Sequence, residues 1–487
     1  MSELSRRGLF RGAGALGAAT LLGACDTSPG GGGDDGVGGG SASGSGGDGA
    51  LTWWDHNLNL IPVNEQFFEQ FEKDSGIAVD YTNYPPPELG EALQLAKQSD
   101  QLPDVHSLAG LGLPVSALIN GGWLQPVRFD DAALSRLPEG ALMDGVHVFG
   151  GDIYTVPIFA QRQYWCTTWY NTEMLEAADV EPPSTYDEFR AAAKAVQDTA
   201  GGNTYGWIFN LAQTERVQEL VNFLAQPAGF EGFDGLEFAS GEIVYHHEAY
   251  LNVIEFLLSL QQDGLLFPGS QTLIDKEGRV RWAAGAAGFY LDGPWCAGSL
   301  QSDAPEFLDR LGSAPILVPD ASSDRVTYRR VGSGVYFLSA ASRHADVAPQ
   351  LMGHQTSTEY YIGIAEGMAQ PPLDLSAVEG ADVHPAWAQQ MDWFAEQSFL
   401  APTPVVQNPE IDMVEAERKP IEPSFGAIVS GAFSGDVDDY AQALKDLSAK
   451  AMAERDRAIG EAKKKGAKVD ASDYAFPDWK PKQDYVP

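Results

Sequence analysis

From Leu51 onward the apolar positions switch between two periods. Leu51-Thr52-Trp53-Trp54 is a short strand-like run, and the next apolar residues, Val63, Phe67, Phe68 and Phe71, fall on one face of a helix. That helix is expected over 62–75, with Pro62 in its first turn and Gly76 at its end. A strand pattern returns over 77–82. A helix follows over 88–99, with Leu89, Leu93 and Ala96 on one face, and then a strand over 103–108. Strands separated by helices of this length are βαβ units, which predict a mostly parallel sheet. A second such stretch lies further on. Thr185-x-x-Glu188 has the form of a capping box, opening a helix that carries Phe189, Ala192 and Val196. Over 249–263 another amphipathic helix turns Leu251, Ile254, Leu257 and Leu258 inward. Two separate βα stretches imply two lobes. A long helix over 437–465 ends in Lys463-Lys464-Lys465, and the tail's Phe476, Trp479 and Tyr485 are expected to pack back on the body.

Composition narrows the class. Of 487 residues, 44% are hydrophobic and 10% aromatic, which is ample for packed cores and too apolar for a disordered chain. From Leu51 on, no apolar run approaches the ~18 residues a spanning helix needs. Against 31 Lys and Arg stand 68 Asp and Glu, a net charge of −37, so phosphate backbones repel this chain and nucleic-acid binding is excluded. The acidity fits surface solvation in a salty habitat, because the carboxylates are spread along the whole chain. A cationic ligand is the other reading.

The first 24 residues read as an export signal. Ser5-Arg6-Arg7-Gly8-Leu9-Phe10-Arg11 carries a twin-arginine pair, a short apolar segment follows, and Leu22-Gly23-Ala24-Cys25 ends it. The arrangement resembles a bacterial lipoprotein signal in which Cys25 is lipidated. Twelve glycines among the 24 residues from Thr27 to Ala50 then make residues 25–50 a flexible tether, reaching about 25–30 Å. Gly12-x-Gly14-x-x-Gly17 fits a dinucleotide-binding pattern, but no strand precedes it and it lies inside the signal.

In open α/β sheets ligands collect beyond the carboxyl ends of the strands. Trp54, Asp55 and His56 follow the first strand and His106 the third; Trp53 is expected to face the core. Gln161 and Gln163 follow Tyr154-Thr155-Val156-Pro157, Trp207 and Asn210 follow Tyr205-Gly206, and Asp292 and Trp295 follow Phe289-Tyr290-Leu291. Planar polar groups mixed with indoles suit a sugar, whose carbon-bound hydrogens lie on a ring while amides and carboxylates take its hydroxyls. Asp55 and His56 could instead cap the next helix. His246-His247-Glu248 has no further His or Cys at ligand spacing and reads as a solvated loop, so no metal is expected.

Several motifs stand in the order found in family 1 extracellular solute-binding proteins. They are Trp53-Trp54, Phe71-Glu72-Lys73-Asp74-Ser75-Gly76-Ile77, Leu102-Pro103-Asp104-Val105, Gly121-Gly122-Trp123-Leu124-Gln125-Pro126, Tyr154-Thr155-Val156-Pro157, Trp169-Tyr170-Asn171, Pro182-Pro183-Ser184-Thr185-Tyr186 and Gly293-Pro294-Trp295. The chain from Leu51 to about Lys465 thus resembles the maltose-binding-protein-like group that delivers carbohydrates to ABC importers. The resemblance implies an α/β, two-lobed periplasmic-binding-protein-like fold with discontinuous lobes joined by hinge crossovers. One lobe would be 51–157 plus 328–370, the other 158–327 plus 371–470, and 471–487 a tail. It implies a sugar between the lobes, stacked on Trp295, with contacts from Trp54, Asp55, His56 and His106, and Gly332 beside the cleft. It further implies no cofactor, no catalysis, an ABC permease as partner, and a monomer held outside the cell membrane only by the lipid on Cys25.

A polyamine or peptide binder on the same fold, and a secreted carbohydrate-active enzyme, are the rival readings. No Gly-x-Ser-x-Gly elbow, zinc spacing or Walker loop supports catalysis. Cys166 and Cys296 remain after Cys25. An exported chain could pair them, and two small buried hydrophobes is the alternative.

Overall fold

The computed structural model describes residues 49–485. The twin-arginine stretch, Cys25 and all but the end of the glycine-rich tether lie outside these residues. Among them, no helix is long and apolar enough to cross a membrane.

Two four-stranded sheets organise the chain. The first contains β1 (Leu51–Asp55), β2 (Val79–Asn83) and β3 (Val105–His106). The second contains β4 (Thr167–Asn171), β5 (Tyr205–Ile208), β6 (Ala287–Asp292) and β7 (Leu311–Ala314). A short strand β8 (Thr327–Arg329) precedes β9 (Phe337–Leu338), which rejoins the first sheet, and β10 (Ser398–Leu400) pairs with β8. The orders are β9-β3-β1-β2 and β7-β4-β6-β5.

In each sheet a single strand runs against the other three. β1 is parallel to β2 and β3, while β9 is antiparallel to β3. β6 is parallel to β5, and β4 is antiparallel to both β6 and β7. The parallel expectation therefore needs one correction per sheet, and the reason is topological. β4 and β9 are the strands by which the chain arrives from the other lobe. A chain arriving at the cleft edge must run away from it, whereas strands inside βα units run towards it.

The local signals act as the residue types dictate. The helix Ile61–Ser75 buries Val63, Phe68 and Phe71 and stops at Gly76, whose φ of 74° is left-handed. Thr185 and Glu188 form the reciprocal capping box of the helix Tyr186–Ala200. The helix Glu248–Gln262 buries Ile254 and Leu257, and His247 caps it by accepting from the Ala249 N–H. The tail packs back through Phe476, Trp479 and Tyr485 against Phe238, Tyr328 and Phe399. Cys166 and Cys296 are buried free thiols, not a pair, and burial raises both above the usual thiol range.

Separate cores define the lobes. Trp53, Leu60, Val105, Tyr336 and Ile364 belong to one, and Trp169, Phe189, Trp207, Leu257 and Phe289 to the other. The chain passes between them near 159–163 and 329–335. It passes again near 377–381, where Ala377 still belongs to the first core while Ala381 packs on the second. The first passage is stitched to the segment leading into the third by Ala160 N–H to the Pro371 carbonyl (2.8 Å) and Leu373 N–H to the Ile158 carbonyl (2.9 Å).

Asp55 ties the first lobe to its returning segment. Its buried carboxylate accepts from the N–H groups of His56 (2.6 Å) and Asn57 (3.1 Å) and from the Asn57 (3.4 Å) and Asn64 (3.3 Å) amides. The hydroxyls of Tyr81 (3.0 Å) and Tyr336 (2.9 Å) complete the set. Asp55→Ala would orphan buried donors on four segments and should cost about 3 kcal/mol or more, read from denaturant unfolding followed by tryptophan fluorescence. A loss under about 1 kcal/mol would show that water replaces the carboxylate freely.

Candidate functional site

The strand ends of the second sheet and the passages between lobes bring one group of side chains together. Trp165 lies just after the first passage and Trp295 just after β6, and their rings meet edge to face at 5.4 Å and 67°. Gln163 fixes Trp165. Its Oε1 accepts the indole N–H at 3.1 Å, while its Nε2 donates to the Ala160 carbonyl at 2.7 Å. Each indole is covered by a guanidinium, with Arg329 4.5 Å above Trp165 and Arg216 4.4 Å above Trp295. The Trp295 indole N–H is buried without a partner.

Behind these rings runs a file of alternating charge, half-buried at Glu219, Arg216 and Asp275 and buried at Arg279 and Asp292. Arg216 pairs with Glu219 (2.5 Å) and Asp275 (2.9 Å), and Arg279 pairs with Asp275 (3.1 Å) and Asp292 (2.6 Å). Asn210 donates to Asp275 and to the Tyr290 hydroxyl. Burial raises Glu219 against the pull of Arg216, and the carboxylates around Arg279 hold its proton firmly. The file is most rigid at its buried end, where breaking the Arg279–Asp292 pair would strand a charge out of water. Arg329 stands outside it. Among the described residues its guanidinium has neither a hydrogen bond nor an ion pair, its Nη1 is buried, and burial lowers it to about 10.

The first lobe contributes from the turn after β1. His56 Nδ1 lies 2.8 Å from Ser107 Oγ, and Asn59 Nδ2 reaches the Trp295 carbonyl at 3.4 Å, joining the lobes. Gly298 also meets this lobe; a Cβ there would sit 2.0 Å from the Gly367 carbonyl oxygen. Gln161 and Gly332 clasp one another, Gly332 N–H donating to Gln161 Oε1 at 2.7 Å. Next to Arg329, a cavity of about 450 Å³ is bordered by Gln218, Asp234, Tyr245, Arg330, Thr403 and Glu415. Arg330 Nε is buried there without a partner.

The expected contacts divide. Trp295, Gln161 and Gly332 stand at this junction, Gln163 supports it through Trp165, and His56 faces Ser107. Trp54 instead packs edge-on to Tyr84 (5.3 Å), beside the Leu89 and Leu93 cluster on the far side of β1. Trp207 is a fully buried core ring stacked on Phe209. Asp55 and Asp292 are buried with protein partners, and so is the Asn210 amide nitrogen, while Asn210 Oδ1 is buried without a partner among the described residues. His106 is fully buried, its Nδ1 3.0 Å from the Ser107 carbonyl. Sequence reasoning met Trp165 in the run after Pro157 without giving it a role, and passed over Arg216, Glu219, Arg329 and Arg330. The only hint was that Arg329-Arg330 precedes the Gly332-Ser333-Gly334 turn.

The model of a family described as bacterial extracellular solute-binding protein matches residues 66–392. Three solved structures share the fold. The Thermus thermophilus maltotriose binding protein bound with maltotriose is 20% identical, with a TM-score of 0.62 covering 84% of this chain and 100% of that one. An ABC transporter solute binding protein from Thermotoga Lettingae TMO bound with α-D-tagatose is 18% identical, with a TM-score of 0.60 over 83% and 98%. The GacH receptor of Streptomyces glaucescens GLA.O, known unliganded and with acarbose, is 18% identical, with a TM-score of 0.58 over 82% and 98%.

His106 and His147 make stability depend on pH. Burial lowers both to about 4 in the folded chain, from 6.5 when exposed. Below pH 6.5 the unfolded chain takes up protons that the folded one refuses, so stability falls as pH drops from 6.5 towards 4, by up to about 3 kcal/mol per histidine. Asp412, raised to about 6 by burial, works in the opposite direction. Melting His147→Gln beside the parent between pH 7 and pH 4.5 should show a shallower loss in the variant. Parallel curves would remove His147 from the account.

Proposed function

Since the chain belongs to the bacterial extracellular solute-binding protein family, a family of binding proteins and not of enzymes, we propose that its solute is a carbohydrate held at the Trp165–Trp295 junction between the lobes. The observation that carries this reading is the pair of indoles at the meeting of the β6 end and the crossings, ringed by Gln161, Arg216, Arg329 and Gly332. Apolar ring edges with fixed donors around them match the two surfaces of a pyranose. The sugar-bound structures with the same fold support the choice of ligand class.

Export, anchoring and delivery complete the proposal. The twin-arginine signal sends the folded chain outward, a lipid on Cys25 keeps it at the membrane, and the glycine-rich tether lets the body search. A sugar touching both lobes favours the closed arrangement by its differential affinity, and an ABC permease then reads that shape. Asn59 and Trp295 already meet across the lobes, so small rotations about the crossings would close on a ligand. A polyamine is the weaker alternative, because a polycation at the junction would meet Arg216 and Arg329.

Thermal melting of the purified protein against mono- and oligosaccharides, with spermidine alongside, tests the reading. Ligand at a hundredfold excess over its Kd adds about 2.7 kcal/mol to stability, so the bound protein should melt several degrees higher. Trp295→Ala should abolish the rise. A rise with spermidine alone, or a sugar consumed instead of bound, would overturn it.

A further inference from the structure

Among the described residues Arg329 is a cation with no ion pair and no hydrogen bond to its guanidinium. The other cations of the junction are spoken for: Arg216 holds Glu219 and Asp275, and Arg279 holds Asp275 and Asp292. Arg330, on the other side of the crossing, is acted on by Asp234 and Glu415. Only Glu219 acts on Arg329, from beyond direct contact and already engaged by Arg216. Arg329 is half-buried; holding its Nη1 out of water without an acceptor is costly, and burial accordingly weakens its hold on its proton.

The guanidinium is also pre-set. Its central carbon sits 4.5 Å over the Trp165 ring, the indole is locked by Gln163, and the backbone of Arg329 is pinned by the β8–β10 pairing and by the Ala401 N–H bond to its carbonyl at 2.8 Å. Hydroxyls of a neutral sugar could accept its N–H groups but would leave its charge uncompensated. A carboxylate supplies two coplanar oxygens that match the guanidinium fork and cancels the charge as well. A phosphate dianion would call for a second uncommitted cation at the same place, and Arg216 is already neutralised.

Resting on the carbohydrate reading above, we propose that the ligand is an acidic sugar, a uronate or a short oligosaccharide containing one, whose carboxylate is taken by Arg329 while its ring lies against Trp295. In a chain of net charge −37, a fixed cation at the cleft gives an anionic ligand a short-range anchor that the surface field does not offer.

The test uses matched ligands on the purified parent protein. Glucuronate- and galacturonate-containing mono- to trisaccharides are each titrated by calorimetry beside their methyl esters and their neutral hexose counterparts. An acidic form should bind at least tenfold more tightly than its own ester, with the advantage shrinking as salt is raised. Arg329→Gln should bring acid and ester to nearly the same affinity, and Arg329→Lys, which keeps the charge and loses the fork, should fall between. If esters or neutral sugars bind as well as the acids, the acidic-sugar inference fails and the carbohydrate reading stands. If no member of the panel binds in any form, both fail. The acid–ester comparison needs no variant, so a poorly folding substitution would not obscure the answer.

Discussion

The chain must pass repeatedly between two lobes, and each passage enters a lobe at its cleft edge. That constraint sets the direction of β4 and β9, which run against the other three strands of their sheets. With those two strands committed to leaving the cleft, the strands of the βα units are free to end at it. The loops after β1, β3, β5 and β6 therefore converge on the same region as the crossings, and chemistry accumulates there without any single loop being long. The crossings themselves become part of the site: Gln161, Trp165, Arg329 and Gly332 all come from segments whose first task is to connect.

Rigidity comes from buried polar groups placed just behind this region. On the first lobe Asp55 gathers its own turn, Asn64, Tyr81 and Tyr336, and so fixes the end of β1 to the segment returning from the second lobe. On the second lobe the file Glu219–Arg216–Asp275–Arg279–Asp292 does the equivalent work for the ends of β5 and β6. Both devices are costly to desolvate, and replacing them with apolar groups of the same shape could be as stable. What the polar versions supply is direction. Arg216, held in the file, covers the ring of Trp295, where a hydrophobic contact would leave that side chain free to turn.

Much of the architecture was legible in the residues. Periodicity placed the helices over 62–75, 88–99 and 249–263 to within a few positions, and Thr185 with Glu188 announced its own helix start. The site was only partly legible. Trp295 stood out by its place after Gly293-Pro294. Trp54 and Trp207 stood equally close to strand ends, yet helices cover both faces of these sheets, so a strand-end indole has a core on either side to join. Asp55, Asn210 and Asp292 looked like ligand contacts for a similar reason. Nothing local tells a carboxylate that will meet a sugar from one whose partners are Tyr336, 281 positions away, or Arg279.

The same blindness to partners hid the arginines. Along the chain Arg216 and Arg329 are two among 31 basic residues in an excess of acid, and any of them would be expected to find a carboxylate nearby. Composition thus argues for saturation, and it is right about Arg216 and Arg279. Arg329 departs from it because its position is dictated by a crossing: β8 must pair with β10, and the residue ending β8 then faces Trp165 with the carboxylates of the second lobe already taken. Its isolation is a by-product of topology, so the overall acidity of the chain is a poor guide to the local charge at this junction.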